Sequence, residues 1–237
     1  MPGRLFTSVI RPPYVWLRGG ITNLLFERRL GVHTSGNIGL DELGIAADGR
    51  EGYAPVGWLR LRQILPPNTV TSDDVFLDIG SGMGRAVLLA AAYPFRRVTG
   101  VELSTQLLAI AQDNVDRCMA RLRCKDVVLV NADAVDYEIP DDVTVIFMNN
   151  PIQGANFAAV VKNVLDSYDR RPRMLRIVYG NPVEEPALLA TGRIQMIRQV
   201  RGFRPEREWS RSNSFRMYTV QPALNAGSSD DSCINTH

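Results

Sequence analysis

Between residues 75 and 182 the chain alternates two hydrophobic patterns. Short apolar runs, almost uninterrupted and bounded by Gly, Pro, Asn or Asp, predict strands buried on both faces. The stretches between them, where apolar residues recur every three or four positions, predict amphipathic helices. The strands are expected at 75–79, 96–103, 127–134, 143–151 and 173–182. Helices are expected at 86–94, at 104–122 with Ser104 as N-cap, at 155–168 and at 184–192. Leu107, Leu108, Ala111, Val115 and Leu122 give the second of these its inward face. Two further runs, 193–203 and 212–220, read as consecutive strands joined by a polar loop. The pattern predicts a Rossmann-like, doubly wound α/β fold: a mostly parallel seven-stranded sheet ending in an antiparallel hairpin.

The flanks differ. Residues 33–51 are rich in Gly, Asp and small side chains and read as loop with one short helical turn. A helix is expected from Pro55 to Ile64, carrying Val56 and Leu59 and stopped by Pro66 and Pro67. Three regions follow: an N-terminal extension over 1–50, one domain over 51–221, and a polar tail over 222–237 that is expected to be disordered.

Composition narrows the picture. The net charge is only +2, which gives no argument for a nucleic-acid partner. Three scattered cysteines fit a reducing, cytoplasmic setting, and with two histidines no metal site is expected. The N-terminal apolar runs are broken by arginine, proline and glycine, and none approaches the roughly 20 residues of a membrane span. The final hairpin region, 193–216, holds seven arginines against two glutamates. A solvated face is the plainer reading, and an anionic substrate or a nucleic-acid backbone the alternative. Trp209 and Phe203 in its loop are candidates to line a substrate pocket.

The candidate chemistry lies at the strand ends, where open α/β sheets bind their ligands. Residues 75–85, VFLDIGSGMGR, form a buried strand, an acid (Asp78), a turn with Gly80, Ser81, Gly82 and Gly84, and a helix start. Arginine at position 85 departs from the G-x-G-x-x-G of dinucleotide folds. The next strands end in Glu102-Leu103, in Asp133-Ala134, and in Asn149-Asn150-Pro151. The D-x-G-x-G-x-G turn with these acids in this order resembles the class I S-adenosylmethionine-dependent methyltransferases. That resemblance implies S-adenosyl-L-methionine as methyl donor. Asp78 and the glycine turn would hold its methionine part, with Tyr53 bordering it. Glu102 and Leu103 would hold the ribose, and Asp133 and Ala134 the adenine, with Asn149 also in contact.

The segment 146–151, IFMNNP, is similar to the Asn-Asn strand end of lysine methyltransferases of the disruptor-of-telomeric-silencing type. It half-matches the Asn-Pro-Pro-aromatic motif of amino-group methyltransferases, with Ile152 and Gln153 in place of the second proline and the aromatic. No ring is left there to stack a flipped base. Tyr53-x-Pro55 with GSGMGR and GVEL also looks like the lysine methyltransferases of the ATP-synthase c-subunit group, which carry a membrane segment. These resemblances imply methyl transfer to an amine nitrogen, a protein lysine for example, with Asn149 and Asn150 orienting it. A small-metabolite O-, N- or C-methyltransferase, with His33 as a base, is the alternative, and a non-catalytic cofactor-binding module a third. The acceptor and the oligomeric state are not written in the sequence.

Overall fold

A computed structural model describes residues 23–201 and 214–223. Seven strands form one sheet: β1 Val75–Ile79, β2 Arg97–Glu102, β3 Val127–Asn131, β4 Val145–Met148, β5 Arg176–Gly180, β6 Ile194–Val200 and β7 Phe215–Val220. Their order is β3-β2-β1-β4-β5-β7-β6, parallel except where β7 runs antiparallel to β5 and β6. The expected doubly wound sheet and its terminal hairpin are therefore present. From β1 the chain winds outward to β3, then returns to place β4 on the other side of β1. The strand order thus reverses between β1 and β4, and a crevice opens beyond their carboxyl ends.

The helices from Arg60 onward are α1 Arg60–Ile64, α2 Arg85–Ala91, α3 Thr105–Cys118, α4 Gly154–Arg170 and α5 Glu185–Ala190. Alternate strand residues feed two cores, one on each face of the sheet. Phe76, Val98, Val145, Phe147 and Val178 pack with α1, α2 and α3. Val75, Leu77, Ile79, Val101, Ile146 and Ile177 pack with Phe157, Val160, Val164 and Leu188 of α4 and α5. Burial on both faces is why the strands read as apolar runs rather than as alternating patterns.

Element ends differ from expectation for local reasons. The expected helix from Pro55 begins only at Arg60, and Leu59 is exposed. The Arg60 amide goes to Gly57 O, while Val56 O accepts from Arg85 Nη1 at 3.0 Å. A carbonyl that would have served the helix is thus committed to a side chain. Helix α3 stops at Cys118, passes through one 3₁₀ turn over Met119–Arg121, and has its last carbonyls capped by Lys125 Nζ. Leu122 is buried beyond the helix end. β3 ends at Asn131, so Asp133 lies in the turn beyond it.

Residues 26–32 reach the core formed with α1, α2 and α3 through Phe26, Leu30 and Val32. Val32 is buried beside Val56, Trp58 and Leu61, and the Phe26 ring stacks on Trp58 at 5.1 Å. A single helical turn, Leu40–Leu43, is capped at its start by Glu42 Oε1 accepting from the Gly39 amide and closed by Gly44 in the left-handed region. Among the described residues no helix is long and apolar enough to cross a membrane, and no group of three or more His, Cys, Asp or Glu is placed to hold a metal ion. Residues 1–22, the loop with Phe203 and Trp209, and the tail from residue 224 onward lie outside the described residues, as do the expectations for them.

Candidate active site

A cavity partly open to solvent lies in the crevice beyond β1, β2, β3 and β4. Its floor is made by Asp78, Gly80, Ser81 and Gly82 after β1, Glu102 and Leu103 after β2, Asp133 and Ala134 after β3, and Asn149 after β4. Tyr53 lines it from above. Of the residues expected to hold the cofactor, only Gly84 is not in the lining. It is the left-handed N-cap of α2, and a Cβ there would lie 3.1 Å from Ala111 Cβ on α3.

The turn after β1 is shaped by contact as much as by dihedral. Gly82 has φ +55°, and a Cβ on it would lie 2.3 Å from the Tyr53 ring. Tyr53 itself is held by its hydroxyl donating to Thr34 O at 2.7 Å, and burial pushes its phenol pKa up, so it remains a donor. Gly82→Ala therefore has to expel the ring or bend the turn. A loss of about 1–3 kcal/mol in thermal or chemical unfolding is expected.

The carboxylates differ in their surroundings. Glu102 Oε2 accepts from the Gly82 amide and Oε1 from the Ser104 amide, both at 2.8 Å. Burial outweighs these hydrogen bonds and leaves its pKa above the usual carboxylate value. Asp78 is fully enclosed; burial, with the charge of Glu102 added, raises its pKa well above normal. Its Oδ2 and the Ser81 Oγ are buried without hydrogen-bond partners among the described residues. Such orphaned oxygens call for a ligand that brings donors, a cationic one for Asp78. The donor set thus fits the amino-acid end of S-adenosylmethionine. Asp133 accepts the Val135 amide on Oδ1 at 3.0 Å and Arg50 Nη2 on Oδ2 at 2.5 Å.

The two asparagines part company. Asn149 Nδ2 donates to Ala54 O at 3.0 Å, and the residue faces the cavity. Asn150 takes a left-handed turn, φ +52°, which sends its side chain elsewhere. It is buried outside the cavity lining, with Oδ1 accepting from Tyr179 at 3.2 Å. Burial lifts the Tyr179 phenol to about 12, so the donor is permanent. The Asn150 side chain is thus engaged by Tyr179 behind the cavity wall. His33 is exposed and outside the lining; only its main chain is engaged, by Asn114 on α3.

Leu40, Leu43, Ile45, Arg50 and Glu51, in the stretch whose composition predicts loop, form a part of the wall, and Gly52, Ala54, Pro55 and Val56 continue it. The G-L-D-E-L-G pattern of Gly39 to Gly44, a capped turn with apolar residues three apart, was the available signal. This roof is laid along the β4 end: the Glu51 amide donates to Pro151 O, the Gln153 amide to Gly49 O, and Arg50 bridges Ile152. Behind it stands Arg85. Its guanidinium is buried, 3.0 Å from Glu27 Oε1, donating to Thr34, Ser35 and Val56, and lying over the Trp58 ring.

This strand order, with a glycine turn after β1 and carboxylates after β2 and β3, defines a class I S-adenosylmethionine-dependent methyltransferase. Residues 51–178 match the family model described as histone methylation protein DOT1, and the chain belongs to that family. Among solved structures it is similar to precorrin 8W decarboxylase from Methanobacterium thermoautotrophicum, at 18% identity over 72% of this chain and 93% of that one, TM-score 0.51. A TehB-like S-adenosylmethionine-dependent methyltransferase from Corynebacterium glutamicum aligns at 14% identity over 77% and 92%, TM-score 0.50. At these identities the likeness concerns the fold alone. No curated protein matches the chain in sequence.

Proposed function

We propose that the protein methylates an amine nitrogen, and that the amine is a lysine side chain of another protein. The observation that carries this reading is Asn149. Its side chain lines the cavity, with Nδ2 donating to Ala54 O and the acceptor end, Oδ1, turned toward Gly180 at the end of β5. An acceptor there suits a nitrogen that must present N–H groups and keep its lone pair in line. The surrounding wall of Leu40, Leu43, Ile45, Phe147 and Ile152 suits an alkyl stem and disfavours the ammonium form, whose unperturbed pKa is about 10.4. Membership of the histone-methylation family supports the same acceptor class.

In this reading S-adenosylmethionine supplies the electrophilic sulfonium methyl. Asp78 Oδ2 would take its ammonium, the Gly80–Gly82 turn its methionine part, Glu102 the ribose hydroxyls on its remaining lone pairs, and Asp133 with Ala134 the adenine. The chain's own contribution is alignment of an amine that has lost its proton to solvent before it attacks the methyl. The functional unit then includes the roof from residue 27 onward.

Asn149→Ala is expected to lower kcat by about 10–100-fold, in the range of a lost positioning contact. The dissociation constant for S-adenosylhomocysteine should stay within twofold. Unchanged turnover would remove Asn149 from the reaction. A second reading, a small-molecule acceptor, is favoured by the roof that narrows the cavity. Labelled cofactor incubated with separated protein and small-molecule fractions decides between them by where the label appears.

A further inference from the structure

Arg50 is fixed at two distant points. Its main chain bridges Ile152, just after β4, while its side chain reaches Asp133, just after β3. In the sheet these two strands are separated by β2 and β1, so the ends of β3 and β4 lie three strand spacings apart, about 14 Å. Between them lie Gly80, Gly82 and Glu102, the floor of the cavity, and Arg50 lines the same cavity. The residue therefore crosses the crevice from the acceptor side to the adenine side. Its pairing is close, Nη2 to Oδ2 at 2.5 Å, and both side chains are about four-fifths buried, with 21% and 22% exposure. One buried donor is left over: Arg50 Nε has no acceptor among the described residues. A buried guanidinium N–H without a partner is costly in an empty crevice and is answered by a ligand oxygen or ring nitrogen.

We propose that Arg50 is a further cofactor-binding residue, strapped to Asp133 across the adenosyl part of S-adenosylmethionine. Its Nε–H donates to an acceptor of that adenosyl group, and its ion pair closes the crevice over the bound molecule. Entry and exit of the cofactor then require the Arg50–Asp133 pair to part. Because the main chain of Arg50 belongs to the roof hydrogen-bonded to the Pro151–Gln153 segment, the strap also ties cofactor retention to the acceptor side. The inference rests on the cofactor occupying this crevice, as the class defines. It does not depend on the acceptor being a lysine.

The test is the binding kinetics of S-adenosylhomocysteine, followed by intrinsic fluorescence in rapid mixing. Arg50→Ala is expected to speed dissociation by about tenfold or more and to weaken equilibrium binding. Arg50→Lys should restore only part of the slow release, since an ammonium keeps the charge and loses the fork. Asp133→Asn should act in the same direction, and combining it with Arg50→Ala should add little, as for two halves of one strap. Raising salt should accelerate release from the wild type and leave Arg50→Ala unaffected. Gln153→Ala removes the exposed Gln153–Glu51 contact of the same roof and serves as control, with release expected near wild type. Release from Arg50→Ala within twofold of the wild type would overturn the proposal. So would Gln153→Ala releasing as fast as Arg50→Ala, because the effect would then belong to the roof as a whole. Circular dichroism of each variant checks that the fold is retained, and the salt response of the wild type tests the strap even where a variant fails to fold.

Discussion

Replacing Arg85 with alanine is expected to destabilise the protein by about 3–5 kcal/mol, the range for removing one partner of a buried ion pair. For a chain of this size that is a fall of roughly 6–20 °C in melting temperature. The magnitude follows from what the guanidinium satisfies. It meets Glu27 Oε1 at 3.0 Å, Thr34 Oγ1 and O at 2.8 Å, Ser35 Oγ at 3.0 Å and Val56 O at 3.0 Å, all in a buried setting. Burial pushes the Glu27 pKa up, but the hydrogen bonds from Ser35 and Thr34, with the charge of Arg85, outweigh it and hold the carboxyl below its usual value. Without Arg85 that carboxylate keeps its burial and loses its countercharge. Arg85→Lys should recover only part of the loss, because one ammonium cannot serve donor sites spread around a planar fork. A paired Glu27→Gln/Arg85→Met change should be less harmful than Arg85→Ala, since it removes the stranded charge. Should Arg85→Ala melt within 2 °C of the wild type, the network carries little stability.

The same residue shows where the sequence was legible. Strands β1, β2, β4 and β5 were readable because both their faces are covered, which makes them short apolar runs with a polar residue at each end. Asp78, Glu102, Asp133 and Asn149 were readable as one site because parallel winding brings successive strand ends to one edge. Arg85 was visible only as a departure from a glycine pattern, since its partners lie 29 to 58 residues earlier and leave no local period. The roof is hidden for the same reason: Arg50 finds Asp133 across 83 positions. The Pro55 helix starts later than its pattern predicts because Val56 O serves Arg85. Local pattern fixes elements, whereas single long-range polar contacts decide how loops lie on them.

Asp78→Asn should raise the melting temperature of the cofactor-free protein at neutral pH while weakening S-adenosylhomocysteine binding by about 100-fold, as for loss of one charge in a buried pair. Asp78 is enclosed, its Oδ2 has no donor among the described residues, and burial together with the charge of Glu102 raises its pKa well above the unfolded value of 3.8. The folded state therefore binds the Asp78 proton more tightly than the unfolded chain does. Stability without cofactor must fall as pH rises from 3.8 through the folded pKa and then hold at the lower level. Asparagine carries no charge, so this contribution vanishes in the variant, and the two melting curves should converge toward pH 4. With cofactor the order reverses. The wild type gains an ammonium against its carboxylate and is stabilised by ligand, whereas the variant, with no charge to offer, shows little ligand-induced shift at the same concentration. Scanning calorimetry from pH 4 to 8, with and without S-adenosylhomocysteine, reads both effects. A variant that is less stable than the wild type at pH 7 and still binds the ligand normally would show that the buried carboxylate serves the turn alone. The predicted crossing, stabilised when empty and indifferent to ligand, is the behaviour of a charge kept at a cost to the fold because the methyl donor requires it.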